Sequence, residues 1–277
     1  MMVEINGIKI DNKLPFVLIA GPCVIESREL ALSVAEKIVE ITTKLKVPYI
    51  FKSSYKKANR TSVNSFTGIG DREALKILDE IKSKFRIPVL TDVHSIEEVK
   101  MAAEVVDVLQ IPAFLCRQTE LLLEAGKTNK AINIKKGQFL APDEIQYAAE
   151  KVKSTGNDKI LLTERGTTFG YHNLVVDMRS LVIMKKFNYP VIMDATHAVQ
   201  IPGVGGKSGG SREFIPHLAK AAISIGIAGL FLETHPDPSK ALSDADSQLP
   251  LNYLERLLIQ VKQIDGLVKS FEEIELK

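Results

Sequence analysis

Cysteine is scarce in this 277-residue chain, with only Cys23 and Cys116 present. Two cysteines are too few for a disulfide framework and suit a reducing compartment, or one thiol or metal role each. No sign of charge dominates: 36 Lys and Arg stand against 34 Asp and Glu, a formal net charge of +2. No basic tail, acidic block or lysine-rich arm is present, so nothing supports nucleic-acid binding, although a local basic pocket for a small anion stays open. No apolar run approaches the length of a membrane span. The start, Met1-Met2-Val3-Glu4-Ile5-Asn6-Gly7, carries no basic, apolar signal segment. The expectation is a cytoplasmic protein with neither membrane nor nucleic-acid partner.

What is present is a repeat. Val3 to Ile10 alternates around Asn6-Gly7, which predicts a small hairpin with a type I′ turn, contained in residues 1–12. Then eight short apolar runs follow: Phe16–Ala20, Pro48–Lys52, Ile87–Asp92, Val106–Ile111, Ala131–Lys135, Lys159–Arg165, Pro190–Asp194 and Gly229–Glu233. Continuous apolar runs mark strands buried on both faces. Between and after them lie helical patterns: 27–43, 72–83, 96–103, 118–124, 143–152, one near Ser180, 212–225 and 251–268. Strands separated by helices require parallel crossovers. Eight such units in this length predict a closed α/β (β/α)8 TIM barrel, a single domain over 1–277. A doubly wound open sheet is the alternative, but no G-x-G-x-x-G follows the first strand.

A barrel brings all strand C-termini to one mouth. The residues delivered there are Cys23, Lys52, Asp92, Gln110, Asn133, Lys135, Arg165, His197 and Glu233. Lys52, Lys135 and Arg165 come from three strands and want an anionic guest, phosphate or carboxylate. Asn133 and Lys135 share one strand face and Lys136 the other, so Lys135 is assigned to the interior. Cys23, His197, Glu233 and one aspartate of the last loop, Asp244 or Asp246, offer one sulfur, one imidazole and two carboxylates. That set suits a borderline divalent ion such as Zn, Fe, Mn or Co. In the blander alternative Cys23 is an inert thiol after a Gly-Pro turn and His197 a hydrogen-bonded core histidine. His94, His172, His217 and His235 are weaker candidates.

Two loops complete the set. Lys52 to Ser62 carries Lys56, Lys57, Asn59 and Arg60 among hydroxyls; it is either an exposed polar loop or a second phosphate and polyol site, with Arg60 as a fork. Gly203 to Arg212 would close over it, with Gly209-Gly210 letting backbone approach an anion and Arg212 beside the start of a helix. Two anion sites in one mouth point to condensation of two phosphorylated or carboxylated molecules.

The motifs Gly21-Pro22-Cys23, Lys57-Ala58-Asn59-Arg60-Thr61-Ser62, Thr91-Asp92-Val93-His94, Lys135-Lys136-Gly137-Gln138-Phe139, Glu164-Arg165-Gly166, Asp194-Ala195-Thr196-His197 and Glu233-Thr234-His235-Pro236 together resemble the 3-deoxy-D-manno-octulosonate 8-phosphate synthases, or 2-dehydro-3-deoxyphosphooctonate aldolases. The resemblance covers nearly the whole chain, in order. It implies condensation of phosphoenolpyruvate with D-arabinose 5-phosphate and water, releasing inorganic phosphate and a sugar acid phosphate used for lipopolysaccharide. It implies homotetrameric (β/α)8 barrels. Carried over, phosphoenolpyruvate falls to Lys57, Lys135 and Arg165 with Lys52 nearby, and arabinose 5-phosphate to Asn59, Arg60 and Ser208. Asp92 and His197 become proton-shuttle candidates, and Lys57 and Lys135 join them as catalytic candidates. Cys23 places the chain with the metal-dependent members, whose ligands would be Cys23, His197, Glu233 and Asp244. The seven-carbon synthases acting on erythrose 4-phosphate share the barrel but typically carry Lys-Pro-Arg-Thr where this chain has Lys57-Ala58-Asn59-Arg60. A Schiff-base aldolase at Lys135 and a sugar-phosphate-binding regulator are the remaining alternatives.

Overall fold

Asn6 and Gly7 both take positive φ, 46° and 82°, the backbone that a two-residue type I′ turn requires. They join β1 (Val3–Ile5) to β2 (Ile8–Ile10) as an antiparallel hairpin. The computed structural model describes residues 1–60, 62–171, 173–201, 209–272 and 274. After the hairpin, strand and helix alternate: β3 (Val17–Gly21), α1 (Arg28–Leu45), β4 (Tyr49–Lys52), α2 (Asp71–Phe85), β5 (Val89–Asp92), α3 (Ile96–Ala103), β6 (Val108–Ile111), α4 (Thr119–Lys127), β7 (Ala131–Lys135), α5 (Ile145–Lys153) and β8 (Ile160–Glu164). A small hairpin of β9 (Thr167–Phe169) and β10 (Asn173–Val175) precedes α6 (Met178–Lys185) and β11 (Val191–Asp194). A pair of two-residue strands, β12 (Gln200–Ile201) and β13 (Gly209–Gly210), leads to α7 (Ile215–Ile223), β14 (Gly229–His235), β15 (Leu249–Pro250) and α8 (Leu254–Val268).

The eight long strands pair in parallel from β3 through β4, β5, β6, β7, β8 and β11 to β14, and β14 pairs back onto β3. The sheet is a closed (β/α)8 barrel. Its two faces are both apolar, which is why the strands read as continuous runs. Val17, Ile19, Ile50, Leu90, Val108, Leu161, Ile192 and Phe231 fill the interior, and Val3, Ile5 and Ile10 of the first hairpin join them as a plug at the N-terminal end. The alternate residues, Leu18, Ala20, Tyr49, Phe51, Val89 and Leu109 among them, pack under the helices.

Local chemistry sets the helix bounds. The Ser27 hydroxyl accepts from Leu30 N at 3.1 Å to start α1, and Lys46 in the left-handed region (φ 53°) ends it. The expected 212–225 helix opens instead as a 3₁₀ turn, 212–214, with Pro216 in the first turn of α7 behind it. The hairpin of β9 and β10 gave no signal in sequence because β9 has no buried face and so no alternation. Ser208, His172 and the loop from Gly203 to Lys207 lie outside the described residues.

Gly229 begins β14 where strands crowd. A Cβ there would lie 2.6 Å from the Val17 carbonyl oxygen and 2.9 Å from Ile192 Cδ1, while one at Gly266 of α8 meets open space. Gly229→Ala is expected to cost about 1–3 kcal/mol, read as a lowered melting temperature. Gly266→Ala is expected to hold or raise it. Equal melting temperatures for the two variants would contradict this packing.

Candidate functional site

Inward parity carries polar chemistry to the mouth. Two residues beyond each interior apolar side chain stands a functional one: Lys52 after Ile50, Asp92 after Leu90, Gln110 after Val108, Asp194 after Ile192 and Glu233 after Phe231. Lys52, Asp92 and Gln110 open into a cleft of about 900 Å³ lined also by Lys57, Asn59, Arg60, Lys135, Gln138, Arg165, His197, Gln200 and Asp244, while Asp194 and Glu233 stand behind its lining as partners of Lys135 and Lys52. The sequence assigned most of these to one cavity, and the fold brings them together.

The cations of the floor are buried and paired. Lys52 donates to Glu233, and Lys135 donates to Asp194. The Lys135 ammonium also stands 3.5 Å from the centroid of the Phe231 ring. Burial lowers the Lys135 pKa to about 8 despite the Asp194 charge, so the ammonium persists at neutral pH. Arg165 donates to Gln200 Oε1 at 2.7 Å, and its other terminal nitrogen, Nη1, is buried with no partner among the described residues. An unsatisfied guanidinium N–H aimed at a cleft with Lys135 beside it is a seat for an oxyanion. Lys136 is also fully buried, on the opposite face of β7 as parity requires, outside the cleft lining. Parity therefore separates the two lysines correctly, but burial does not.

Cys23, Glu233 and Asp244 each offer one donor atom, all within 4.8 Å of one another. Cys23 and Glu233 are buried, and Cys23 Sγ lies 3.2 Å from Asp244 Oδ2. Closure of the barrel is what joins them, since Glu233 on β14 pairs in register with Gly21 on β3. Burial and the Glu233 carboxylate push the Cys23 thiol well up, with Lys57 pulling the other way. A sulfur and two carboxylates in a dry wall fit a borderline divalent cation, which would supply the charge a thiolate needs. His197 stands at the edge of this group, with Nε2 3.6 Å from Glu233 Oε1. Its Nδ1 is held at 2.6 Å by Asp194 Oδ2, a contact that fixes the orientation of the imidazole. Asp244, rather than the half-exposed Asp246 that faces Arg212 at 3.7 Å, joins the group. Lys57 Nζ lies 2.9 Å from Cys23 Sγ and 3.3 Å from Asp244 Oδ2, between the donor set and the loop of Asn59 and Arg60.

On the other wall Asp92 accepts from Ser54 and stands 3.2 Å from His94 Nε2, while His94 Nδ1 lies 2.9 Å from Glu98 Oε2. Burial works against charge at both Asp92 and His94, and it is outweighed by their mutual contact together with Glu98 at His94 and Lys52 and Lys57 near Asp92. Asp92 is held well below the usual carboxylate range, and His94 rises to about 9.

Some expectations are revised. Gly210 makes its close approach to protein: a Cβ would lie 2.9 Å from the backbone of Asp246 and Ser247. Arg212 donates to the Ala245 carbonyl at 2.9 Å, fastening the loop that carries Asp244 instead of an anion. Cys116 is buried away from the cleft beside Gly137. Asp194 was legible as the end of an apolar strand and the start of the Asp194–His197 motif, but its partners were not; it is the fully buried acceptor for Lys135, His197 and Thr196. Gln200 carried no sequence signal, and Gln138 only its place in the Lys135–Phe139 motif, because a lone glutamine has no spacing to reveal it.

A (β/α)8 barrel whose mouth joins a Cys-Glu-Asp group to buried cations is an enzyme built for small anionic substrates. The chain matches the DAHP synthetase I family over residues 1–270, and it belongs to that family. It is 55% identical over 264 residues to a 2-dehydro-3-deoxyphosphooctonate aldolase of Dichelobacter nodosus, covering 95% of each chain. It is 53% identical over 268 residues to the protein of that name from Geobacter sulfurreducens, covering 96% of this chain and 98% of the relative. Against the one from Rickettsia typhi it is 53% identical over 270 residues, covering 97% and 98%. The family description carries the name of the seven-carbon synthases; these relatives carry the eight-carbon name.

The His94 pair gives a pH signature. Its folded pKa of about 9 exceeds an unfolded value of about 6.5. The stabilisation is therefore full below about pH 6.5 and is lost as pH rises through about 9. His94→Gln should reduce stability at pH 6 by on the order of 3 kcal/mol, and the gap to the parent should close by pH 10 in denaturant titrations. A gap that does not change with pH would contradict the ion triad.

Proposed function

We propose that this enzyme condenses phosphoenolpyruvate with D-arabinose 5-phosphate and water to give 3-deoxy-D-manno-octulosonate 8-phosphate and inorganic phosphate. The observation that carries the reading is the cleft itself, where a sulfur-carboxylate donor group and three strands' worth of cations meet. Phosphoenolpyruvate brings a carboxylate and a phosphate, and Lys135, Arg165 and Lys57 supply charge for both, with Lys52 behind them. Asn59 and Arg60 line the outer part of the cleft, where Arg60 would fork onto the sugar phosphate and Asn59 read hydroxyls. Ser208, also assigned to that phosphate, stays part of the proposal.

The carbon–carbon bond forms between C3 of phosphoenolpyruvate and the sugar aldehyde. The aldehyde oxygen gains a proton, water adds at C2 and loses one, and the C2–O bond to phosphate then breaks as the C2 hydroxyl becomes the ketone and its proton passes to the departing phosphate. Cys23, His197, Glu233 and Asp244 would hold a divalent ion, which when bound supplies charge stabilisation to the aldehyde or to the water. Asp92 and His197 line the same cleft and are the candidates for moving these protons, His197 only while its Nε2 is not engaged by the ion. Lys135, protonated and clamped between Asp194 and Phe231, serves as a charged clamp; a Schiff-base role would want it neutral.

The reading includes a single-domain barrel acting in the cytoplasm as a homotetramer. Among the described residues no helix is long and apolar enough to cross a membrane. Exposed Phe139, Phe169 and Tyr171 would supply apolar surface for subunit contacts in such a tetramer.

Two measurements test the assignment. Stripping divalent ions with a chelator should abolish phosphate release from phosphoenolpyruvate, and Zn, Fe, Mn or Co should restore it; full activity in a verified metal-free preparation would refute the metal role. Arg60→Ala should raise the KM for arabinose 5-phosphate about 10- to 100-fold, the equivalent of about 1.5–3 kcal/mol for a hydrogen bond to a charged group. The KM for phosphoenolpyruvate should stay near its parent value. An equal rise in both would show the loop to be wrongly assigned.

A further inference from the structure

Lys135 and Arg165 stand at the ends of neighbouring strands and face one cleft. Two cations side by side repel, so something must fix their separation when no anion is between them. The residues next to them in the chain turn the other way, into the layer behind the barrel wall, and there they meet. Lys136 Nζ lies 3.6 Å from Glu164 Oε1, and both side chains are buried. The ammonium is further held by the carbonyls of Gly137 (3.3 Å) and Leu140 (3.1 Å) and by Thr167 Oγ1 (3.0 Å). Glu164 Oε1 accepts from the backbone N–H groups of Arg165 (2.8 Å) and Gly166 (2.7 Å), and its other oxygen accepts from Ser180 of α6. Lys136 N in turn donates to the Thr163 carbonyl at 2.8 Å. The polar atoms of the pair are thus spent on the backbone next to Lys135 and Arg165, on the loop that follows β7 as far as Leu140, and on the β9 and α6 segments beside it.

Such a pair is a poor device for stability alone. Removing two charges from water is costly, and apolar residues of similar volume often stabilise a fold as well or better. The pair does set geometry: its bonds fix the two positions where β7 and β8 leave the sheet and turn their next side chains into the cleft. We propose that Lys136 and Glu164 are positioning residues that hold Lys135 and Arg165 at the spacing phosphoenolpyruvate requires. The proposal rests on the phosphoenolpyruvate reading of the cleft. It adds that the spacing is imposed from behind the wall and concerns this substrate and not the sugar phosphate, whose residues Asn59 and Arg60 lie on another loop.

The test uses the double variant K136M/E164Q, which removes both buried charges together and so leaves neither unpaired, and the milder Thr167→Val, which removes one acceptor from Lys136. Direct binding of phosphoenolpyruvate to the metal-loaded protein by calorimetry is measured with melting temperature and both KM values. The double variant should melt within about 3 °C of the parent yet bind phosphoenolpyruvate about tenfold more weakly, with the KM for arabinose 5-phosphate within about twofold of the parent. Thr167→Val should shift the same constant in the same direction by about threefold. Unchanged phosphoenolpyruvate binding in both variants, or an equal weakening of both substrates, would overturn the proposal. If the double variant does not fold, Thr167→Val alone decides it. A parent protein that binds no phosphoenolpyruvate would instead overturn the functional reading.

Discussion

The structure depends on keeping charge in a dry barrel mouth without letting like charges collide. Lys52 and Lys135 are buried where an unpaired ammonium would be untenable. Each is matched by a carboxylate two strands away: Lys52 of β4 by Glu233 of β14 across β3, and Lys135 of β7 by Asp194 of β11 across β8. Alternate strands of a closed barrel contribute side chains to the same layer, and these two pairs each join members of one alternate set. The Phe231 ring lies under both ammonium groups, 5.5 Å from Lys52 and 3.5 Å from Lys135. The cations are therefore stabilised before any substrate arrives. Arg165, whose buried Nη1 has no partner among the described residues, still lines the mouth.

Asp194 ties this charge arrangement to the candidate metal group. One oxygen takes the Thr196 hydroxyl and the backbone N–H groups of Thr196 and His197, and the other meets Lys135 and His197 Nδ1. It thereby points Nε2 of His197 toward Glu233. Glu233 in turn is shared between Lys52 and the Cys23–Asp244 group. The cation floor and the donor set are one connected network.

Much of this was legible in sequence because barrel strands are short, apolar and periodic. Once eight units were counted, parity alone sent Lys135 inward and Lys136 outward. The Asn6-Gly7 turn and the polar residue ending each strand followed from local rules. Tertiary closures were not legible. Nothing in the spacing of Asp244 and Asp246 says which of them meets Cys23, because a loop in which Asp244 itself takes a left-handed φ of 48° decides it. Nor does any pattern show that Lys136, off the cleft, is buried as completely as Lys135, since its partners Glu164 and Thr167 come from another strand and a hairpin without amphipathic signal.

The choice between an eight-carbon and a seven-carbon product is drawn from the relatives, which carry the eight-carbon name, and from Asn59 and Arg60, which line the cleft. The two readings share the barrel, the cation floor and phosphoenolpyruvate, so only the sugar separates them. The most direct measurement is phosphate release from phosphoenolpyruvate by the metal-loaded enzyme, with arabinose 5-phosphate and erythrose 4-phosphate supplied in turn. Rapid release with arabinose 5-phosphate and little with erythrose 4-phosphate is the predicted result. Preference for erythrose 4-phosphate, or no release with either sugar, would contradict the account.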